Sequence, residues 1–438
     1  MVDENRFCMM ASLFSRNFLY NTIMEDNIKQ IFPKEMFWMI NKLCTYKTNP
    51  KLGMKYVAEI MVCMMQSNLA NIIKQEYEVE GQKWTVWHGP TFKMTVCEDH
   101  HYNCFFSKLT GLNVRFGKEV HDDPVCCELG PEILDLEISV GGCPPVSGSS
   151  NCKYCYKNNT NRAPENMSFE TFQKIIATFP INLSQIAFGI TGLKTNPDLP
   201  KMFVYCREVG IVPNLTTVGA DMDDEALDTL CKHCGAVAVS CYTGAKELCY
   251  KTIKQIHDYA KSKYNKEMHV NMHIVVSKDN MPHVRDVLRD IADKKVDGLK
   301  SVVLLRIKPC GRAKHMDCTV TKDMYKELVT FCLSNNISFG FDSCSATPVM
   351  EVLKDLGKDE LCGCCESCES SKLSSYINVK GEYWSCSFAE RTDFIKPINV
   401  LDYNSVTDWW NSDEVKKVRF CKNPACASCP IYNLDGEK

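Results

Sequence analysis

The sequence predicts an α/β protein built on a parallel βα sheet or barrel, with additions at both ends. Three observations lead there. Between Ile133 and Phe341 strand-like and helix-like segments alternate about six times, the rhythm of parallel βα units. Before that stretch come helical periodicities and then hairpin signals. After it the periodicity stops and cysteines crowd together.

Residues 1 to about 75 read as helical. Apolar residues recur at helical spacing through Ile23, Ile28, Ile31, Phe37, Ile40 and Leu43, and again through Met54, Val57, Ile60, Met64 and Leu69. Lys83 to Trp87 and Phe92 to Val96 alternate polar and apolar residues around His88-Gly89-Pro90, a hairpin signal. A second hairpin is expected over Phe105 to Phe116, turning at Thr110-Gly111. Strands are then expected at Ile133–Val140, Leu183–Ile190, Val212–Val218, Ala236–Cys241, His269–Ser277, Val302–Lys308 and Ile337–Phe341. Helices are expected between them at Ser168–Phe179, Leu199–Val209, Glu225–His233, Ala245–Lys263, Met281–Lys294 and Lys322–Ser334. Ser168 is the cap of the first, with Glu170 in its opening turn.

Composition bounds the function. The 438 residues are 45% hydrophobic and 24% charged, which excludes a disordered chain. A net charge of −3 gives no case for bulk binding to nucleic acid or membrane. The best membrane candidate, Gly53 to Ile73, is interrupted by Lys55, Glu59, Gln66, Asn68 and Asn71. The abnormal number is 27 cysteines. Disulfide scaffolds are short and secreted, whereas this chain is long and opens on the polar MVDENRF without a signal-peptide pattern. A reducing, cytoplasmic location is expected, and there abundant cysteine points to metal.

Two constellations stand out. Cys143, Cys152 and Cys155 share one Gly-, Pro- and Ser-rich loop just past the first expected strand of the βα region. In βα barrels that end of the strands carries catalytic residues. Three thiolates there can hold three irons of a 4Fe-4S cluster and leave the fourth open. A structural zinc loop and buried thiols are the alternatives. The tail holds the second constellation, Cys344, Cys362, Cys364, Cys365, Cys368, Cys386, Cys421, Cys426 and Cys429. Ser374 to Cys386 reads as a hairpin turning at Lys380-Gly381, which brings the thiols at its two ends together. A zinc ribbon is the alternative there. The cysteines at 8, 44, 63, 97, 104, 126, 127, 206, 231, 234, 241, 249, 310, 318 and 332 mostly suit small buried apolar positions.

At Cys152-Lys153-Tyr154-Cys155 the chain resembles the radical S-adenosylmethionine superfamily, whose signature spaces its last two cysteines by two residues with an aromatic before the last. The spacing from Cys143 to Cys152 is eight residues where the family has three. Phe188-Gly189-Ile190-Thr191-Gly192 stands where the family carries Gly-Gly-Glu-Pro, with the acid and the proline missing. Lys308 to Ala313 looks like the family's Pro-x-Gly-Arg-Ala turn. Cys368-x12-Gly381-x4-Cys386 resembles the opening of the SPASM or twitch extension, and Cys421-x4-Cys426-x2-Cys429 an abbreviated close.

The resemblance implies a partial (βα)6 barrel over residues 126–342. A helical and β-hairpin extension occupies 1–125, and a small cysteine-rich auxiliary iron–sulfur domain 343–438. It implies that Cys143, Cys152 and Cys155 hold the radical-generating 4Fe-4S cluster. Tyr154, Gly189, Ile190, Ser240, Asn271 and His273 would contact S-adenosylmethionine. At least one auxiliary cluster would take Cys368 and Cys386 with two of Cys344, Cys426 and Cys429. The implied chemistry is reductive cleavage of S-adenosylmethionine and hydrogen-atom abstraction from a peptide, protein or small-molecule substrate, with an external electron donor such as flavodoxin or ferredoxin. Modification of a nucleotide or RNA, and a zinc-stabilised binding protein without catalysis, are the competing readings.

Overall fold

In a computed structural model the described residues are 34–44, 50–67, 71–119, 122, 124–146, 152–390 and 396–420. They fall into two compact units that part between Leu129 and Gly130.

The first unit packs two helices, α1 (Lys34–Cys44) and α2 (Pro50–Gln66), on a five-stranded antiparallel sheet. The strands β1 (Ile73–Val79), β2 (Gln82–His88), β3 (Phe92–Cys97), β4 (Tyr102–Ser107) and β5 (Asn113–Phe116) follow in chain order as a meander. Met36, Met39, Ile40, Val57 and Ile60 meet Trp87, Phe92, Met94, Phe105 and Phe116 in its core. Both expected hairpins are present, with Trp87 opposite Met94 and Phe105 opposite Val114. The expected helical positions Ile23, Ile28 and Ile31 lie outside the described residues. Strand β1 is additional. Its residues Ile73 to Glu76 are all exposed, so it carries no alternating apolar face to signal it.

The second unit is a mixed α/β structure around a ten-stranded sheet. Seven parallel strands stand side by side in chain order: β6 (Ile133–Glu137), β9 (Gln185–Gly189), β10 (Val212–Thr217), β11 (Ala236–Ser240), β12 (His269–Val276), β13 (Ser301–Arg306) and β14 (Phe339–Phe341). A two-stranded ribbon, β7 (Ser139–Val140) with β8 (Glu165–Asn166), brackets the loop after β6. Six helices make the crossovers: α3 (Phe169–Ala177), α4 (Leu199–Glu208), α5 (Asp224–His233), α6 (Lys246–Tyr264), α7 (Met281–Ala292) and α8 (Lys322–Ser334). Parallel neighbours require such crossovers, because a tight turn cannot reverse the chain twice. Side-chain caps start several of them: Ser168 accepts from the Thr171 amide, Asp223 from Ala226 and Thr321 from Met324.

The strands alternate faces. Leu134 and Leu136 of β6 join Ile186 and Phe188 of β9 in the core shared with the helices. Asp135 and Glu137 point the other way. Buried cysteines serve as small core residues, among them Cys206, Cys231, Cys234, Cys249 and Cys332. Cys310 and Cys318 are only half-buried.

The tail is woven into the same sheet. After α9 (Ala346–Asp355), β15 (Ser374–Ile377) lies parallel to β6, with Tyr376 opposite Asp135. The hairpin to β16 (Glu382–Trp384) forms where expected, and β17 (Ile398–Asn399) closes the edge. Two short helices, α10 (Val406–Trp410) and α11 (Asp413–Arg419), bury Trp409 and Trp410 against Tyr383. Among the described residues no helix is long and apolar enough to cross a membrane.

Candidate functional site

The C-terminal ends of the parallel strands surround a cavity of about 410 Å³. Strand ends are where a βα sheet exposes loops from many strands to one space. Cys143, Cys152 and Cys155 line this cavity from the loop after β6. Tyr154, Gly189, Ile190, Ser240 and His273 line it too. Asn271 does not. It sits two residues before His273 on β12, and its amide oxygen accepts from the Ser301 hydroxyl at 2.9 Å.

The cysteine loop is shaped by backbone contacts. Gly142 adopts φ +62°, and a methyl group there would stand 2.9 Å from Thr195 Cγ2. Its amide donates to Arg162 O at 2.8 Å, and that of Cys143 to Thr160 O at 3.2 Å. The Asn159 amide donates to Cys155 Sγ at 3.3 Å. The turn after β13 docks on the same loop. The Arg312 amide donates to Cys155 O at 3.0 Å, and its guanidinium to Cys152 O at 2.8 Å and to Asn159 O. Gly311, at φ +58°, lies so close that a methyl group would be 2.3 Å from both Cys155 O and Tyr156 O. Only glycine permits that approach.

Burial pushes the Cys143 and Cys152 thiols up, and each is raised further by Cys155. Tyr242 lies beside Cys152 and beside Ser240 at the end of β11, and all three line the cavity. Burial holds His273 down at about 4, so its imidazole is neutral at physiological pH.

Among the described residues no group of three or more His, Cys, Asp or Glu side chains is gathered as the ligands of a single metal ion would be. The donor chemistry still suits a four-iron cluster, in which three cysteines bind three different irons. Sulfurs that bind separate irons stand farther apart than ligands sharing one ion.

In the tail, Cys386 is half-buried, and the protein packed around it pushes its thiol up to about 12, with Cys368 and Cys344 close enough to raise it. The structure therefore brings Cys344, Cys368 and Cys386 into one neighbourhood. Cys421, Cys426 and Cys429 lie outside the described residues.

The inner wall holds a polar group that belongs to none of the cysteine motifs. Lys157 Nζ pairs with Glu137 at 3.0 Å and also with Glu390 and the Tyr376 hydroxyl, while lying 4.7 Å from the Tyr376 ring centre. Burial raises the Glu137 carboxyl, and Lys157 opposes that rise. The alternation Leu134-Asp135-Leu136-Glu137 just before the cysteine loop was the available signal. It places two acids on the face opposite the core leucines.

Fold and site together define a parallel βα-sheet protein whose first strand feeds a three-cysteine loop into a cavity at the strand ends. No family model and no curated protein matches the sequence. Among solved structures the chain is similar to Streptococcus suis SuiB bound to the precursor peptide SuiA, with 13% identity and a TM-score of 0.51, over 70% of this chain and 71% of that one. It is also similar to Streptococcus suis SuiB bound to S-adenosylmethionine, with 13% identity and a TM-score of 0.49, over 70% of each chain. The first likeness establishes a shared fold.

Proposed function

We propose that this chain is a radical S-adenosylmethionine enzyme acting on a peptide or protein side chain. One observation carries the reading: the cysteine loop and the ends of β9, β11 and β12 share one cavity. The sheet is then the wall of a partial (βα)6 barrel with the cavity at its mouth. Cys143, Cys152 and Cys155 would hold the 4Fe-4S cluster. When bound, the cluster and S-adenosylmethionine supply reductive carbon–sulfur cleavage and hydrogen-atom abstraction. Cys344, Cys368 and Cys386, with Cys426 or Cys429, would hold an auxiliary cluster in a SPASM-like tail.

The chain's own residues orient and enclose. Arg312 and Gly311 brace the backbone of the cysteine loop. Gly189 and Ile190 offer backbone groups at the end of β9, and Ser240 and the neutral His273 offer polar contacts from β11 and β12. Asn271, bonded to Ser301, supports β12 from outside the cavity. Tyr154, Tyr156, Tyr242 and Phe188 supply aromatic wall to the space. A peptide substrate is supported by the tail motif and by the fold's likeness to SuiB in its complex with a precursor peptide. A flavodoxin or ferredoxin in a reducing cytoplasm would be the electron donor.

Anaerobic purification, iron and sulfide counting and reduction with S-adenosylmethionine present test the reading. About four to eight irons per chain and release of 5′-deoxyadenosine are expected. Cys143→Ala, Cys152→Ala and Cys155→Ala should each abolish release. Zinc without iron would overturn the proposal in favour of a zinc-stabilised binding protein.

A further inference from the structure

Asp135 has no hydrogen-bond or ion-pair partner for its side chain among the described residues. It projects from β6 into the cavity and is exposed there, between the buried Leu134 and Leu136. Its neighbours across the sheet are Ala187 on one side and Tyr376 on the other. The other charges around it are satisfied. Lys157 is spent on Glu137, Glu390 and Tyr376. Lys308 is paired with Asp342. The charged lining is thus two carboxylates, Asp135 and Glu137, against one ammonium that is already engaged.

A carboxylate that faces the cavity without a partner attracts a cation entering it, and the attraction strengthens as the ligand displaces water from between them. Burial alone raises Asp135 to about 6, so it is ionised at neutral pH and ready for such a partner. Tyr156 and Tyr376 stand beside it, and aromatic faces attract cations.

We propose that Asp135 is the substrate anchor of this cavity, where its carboxylate receives an ammonium or guanidinium group of the substrate. The inference rests on the cavity's being the substrate chamber and narrows the substrate to one with a cationic side chain or amine near the reacting position.

The test uses the full chain and three probes: N-acetyl-lysine amide, N-acetyl-arginine amide and N-acetyl-glutamine amide, with binding followed by ligand-observed NMR. The two cationic amides should bind at least about tenfold more tightly than the neutral one, the scale of one charge-assisted hydrogen bond. Asp135→Asn should erase that preference. Asp135→Glu keeps the charge and should retain it, which decides the matter if Asp135→Asn melts early. Equal binding of all three probes by the unaltered protein would sink the proposal, as would an Asp135→Asn protein that still prefers the cations. The two readings fail separately. A chain without iron that keeps the preference loses the radical chemistry and keeps the anchor. A chain with iron and no preference does the reverse.

Discussion

The guanidinium of Arg312, in the turn after β13, donates to the carbonyl oxygen of Cys152, in the loop after β6, at 2.8 Å. More than 150 residues of sequence separate the two, and one hydrogen bond joins the last full-length crossover strand to the candidate cluster loop.

That bond predicts the effect of removing it. Arg312→Ala should lower the iron retained per chain after anaerobic reconstitution by about half or more. Losing the planar donor leaves the carbonyls of Cys152 and Asn159 without their partner, at a cost of about 1–3 kcal/mol to the loop. Arg312→Lys should recover only part of the loss, because an ammonium cannot present the same fork. Iron and sulfide assays on matched preparations decide this; full iron in Arg312→Ala would show that the brace is dispensable.

Gly311→Ala should destabilise the second unit by about 1–3 kcal/mol. The added methyl group meets two carbonyl oxygens at 2.3 Å, and the backbone is left-handed there. Urea unfolding is the measurement. An unchanged midpoint would mean that the turn moves away from Cys155 at little cost.

Lys157→Met removes the cation between Glu137 and Glu390, both largely buried. The variant should lose about 3 kcal/mol at neutral pH. The pH dependence has a definite sign. Burial already raises Glu137, and losing Lys157 raises it further, so the folded state binds more protons than the unfolded one. Stability of the variant relative to the parent should therefore fall as pH rises above the ordinary glutamate range, and recover toward pH 5. Melting curves at pH 5 and pH 8 give the answer, and a pH-independent difference would refute the account.

Arg419 is buried with three acceptors, Ser371 O at 2.7 Å, Asn411 Oδ1 at 2.9 Å and Trp410 O at 2.5 Å. It also lies 4.6 Å from the centre of the Trp410 ring. Arg419→Ala should cost about 3 kcal/mol or more, since several charged hydrogen bonds and a filled volume go together. Tryptophan fluorescence during denaturation should report early loosening of the Trp409–Trp410 pair.

Cys386→Ala should leave 5′-deoxyadenosine release in place while product turnover on substrate is lost, with Cys368→Ala behaving alike. Loss of all release in either variant would make the tail part of the cleavage site itself.

The sequence by itself determined the βα rhythm, because the crossover helices carry apolar stripes, three of them behind a side-chain cap, and the strands carry short apolar runs. Ser168 and Thr321 cap helices at or one residue before the start of their patterns, and Asp223 caps two residues before Glu225. It also determined the hairpin ending at Cys386 and the three-cysteine loop, whose chemistry lies in local spacing. Only the tertiary structure decided that β15 pairs with β6, that Arg312 and Gly311 brace the cysteine loop, and that Asp135 faces the cavity unpartnered while Asn271 stays out of it. Caps, stripes and spacings are written within a dozen residues. Contacts such as β15 with β6, Lys157 with Glu390 and Arg312 with Cys152 join segments more than a hundred residues apart, and no short stretch of chain encodes which of its polar residues will find a partner there.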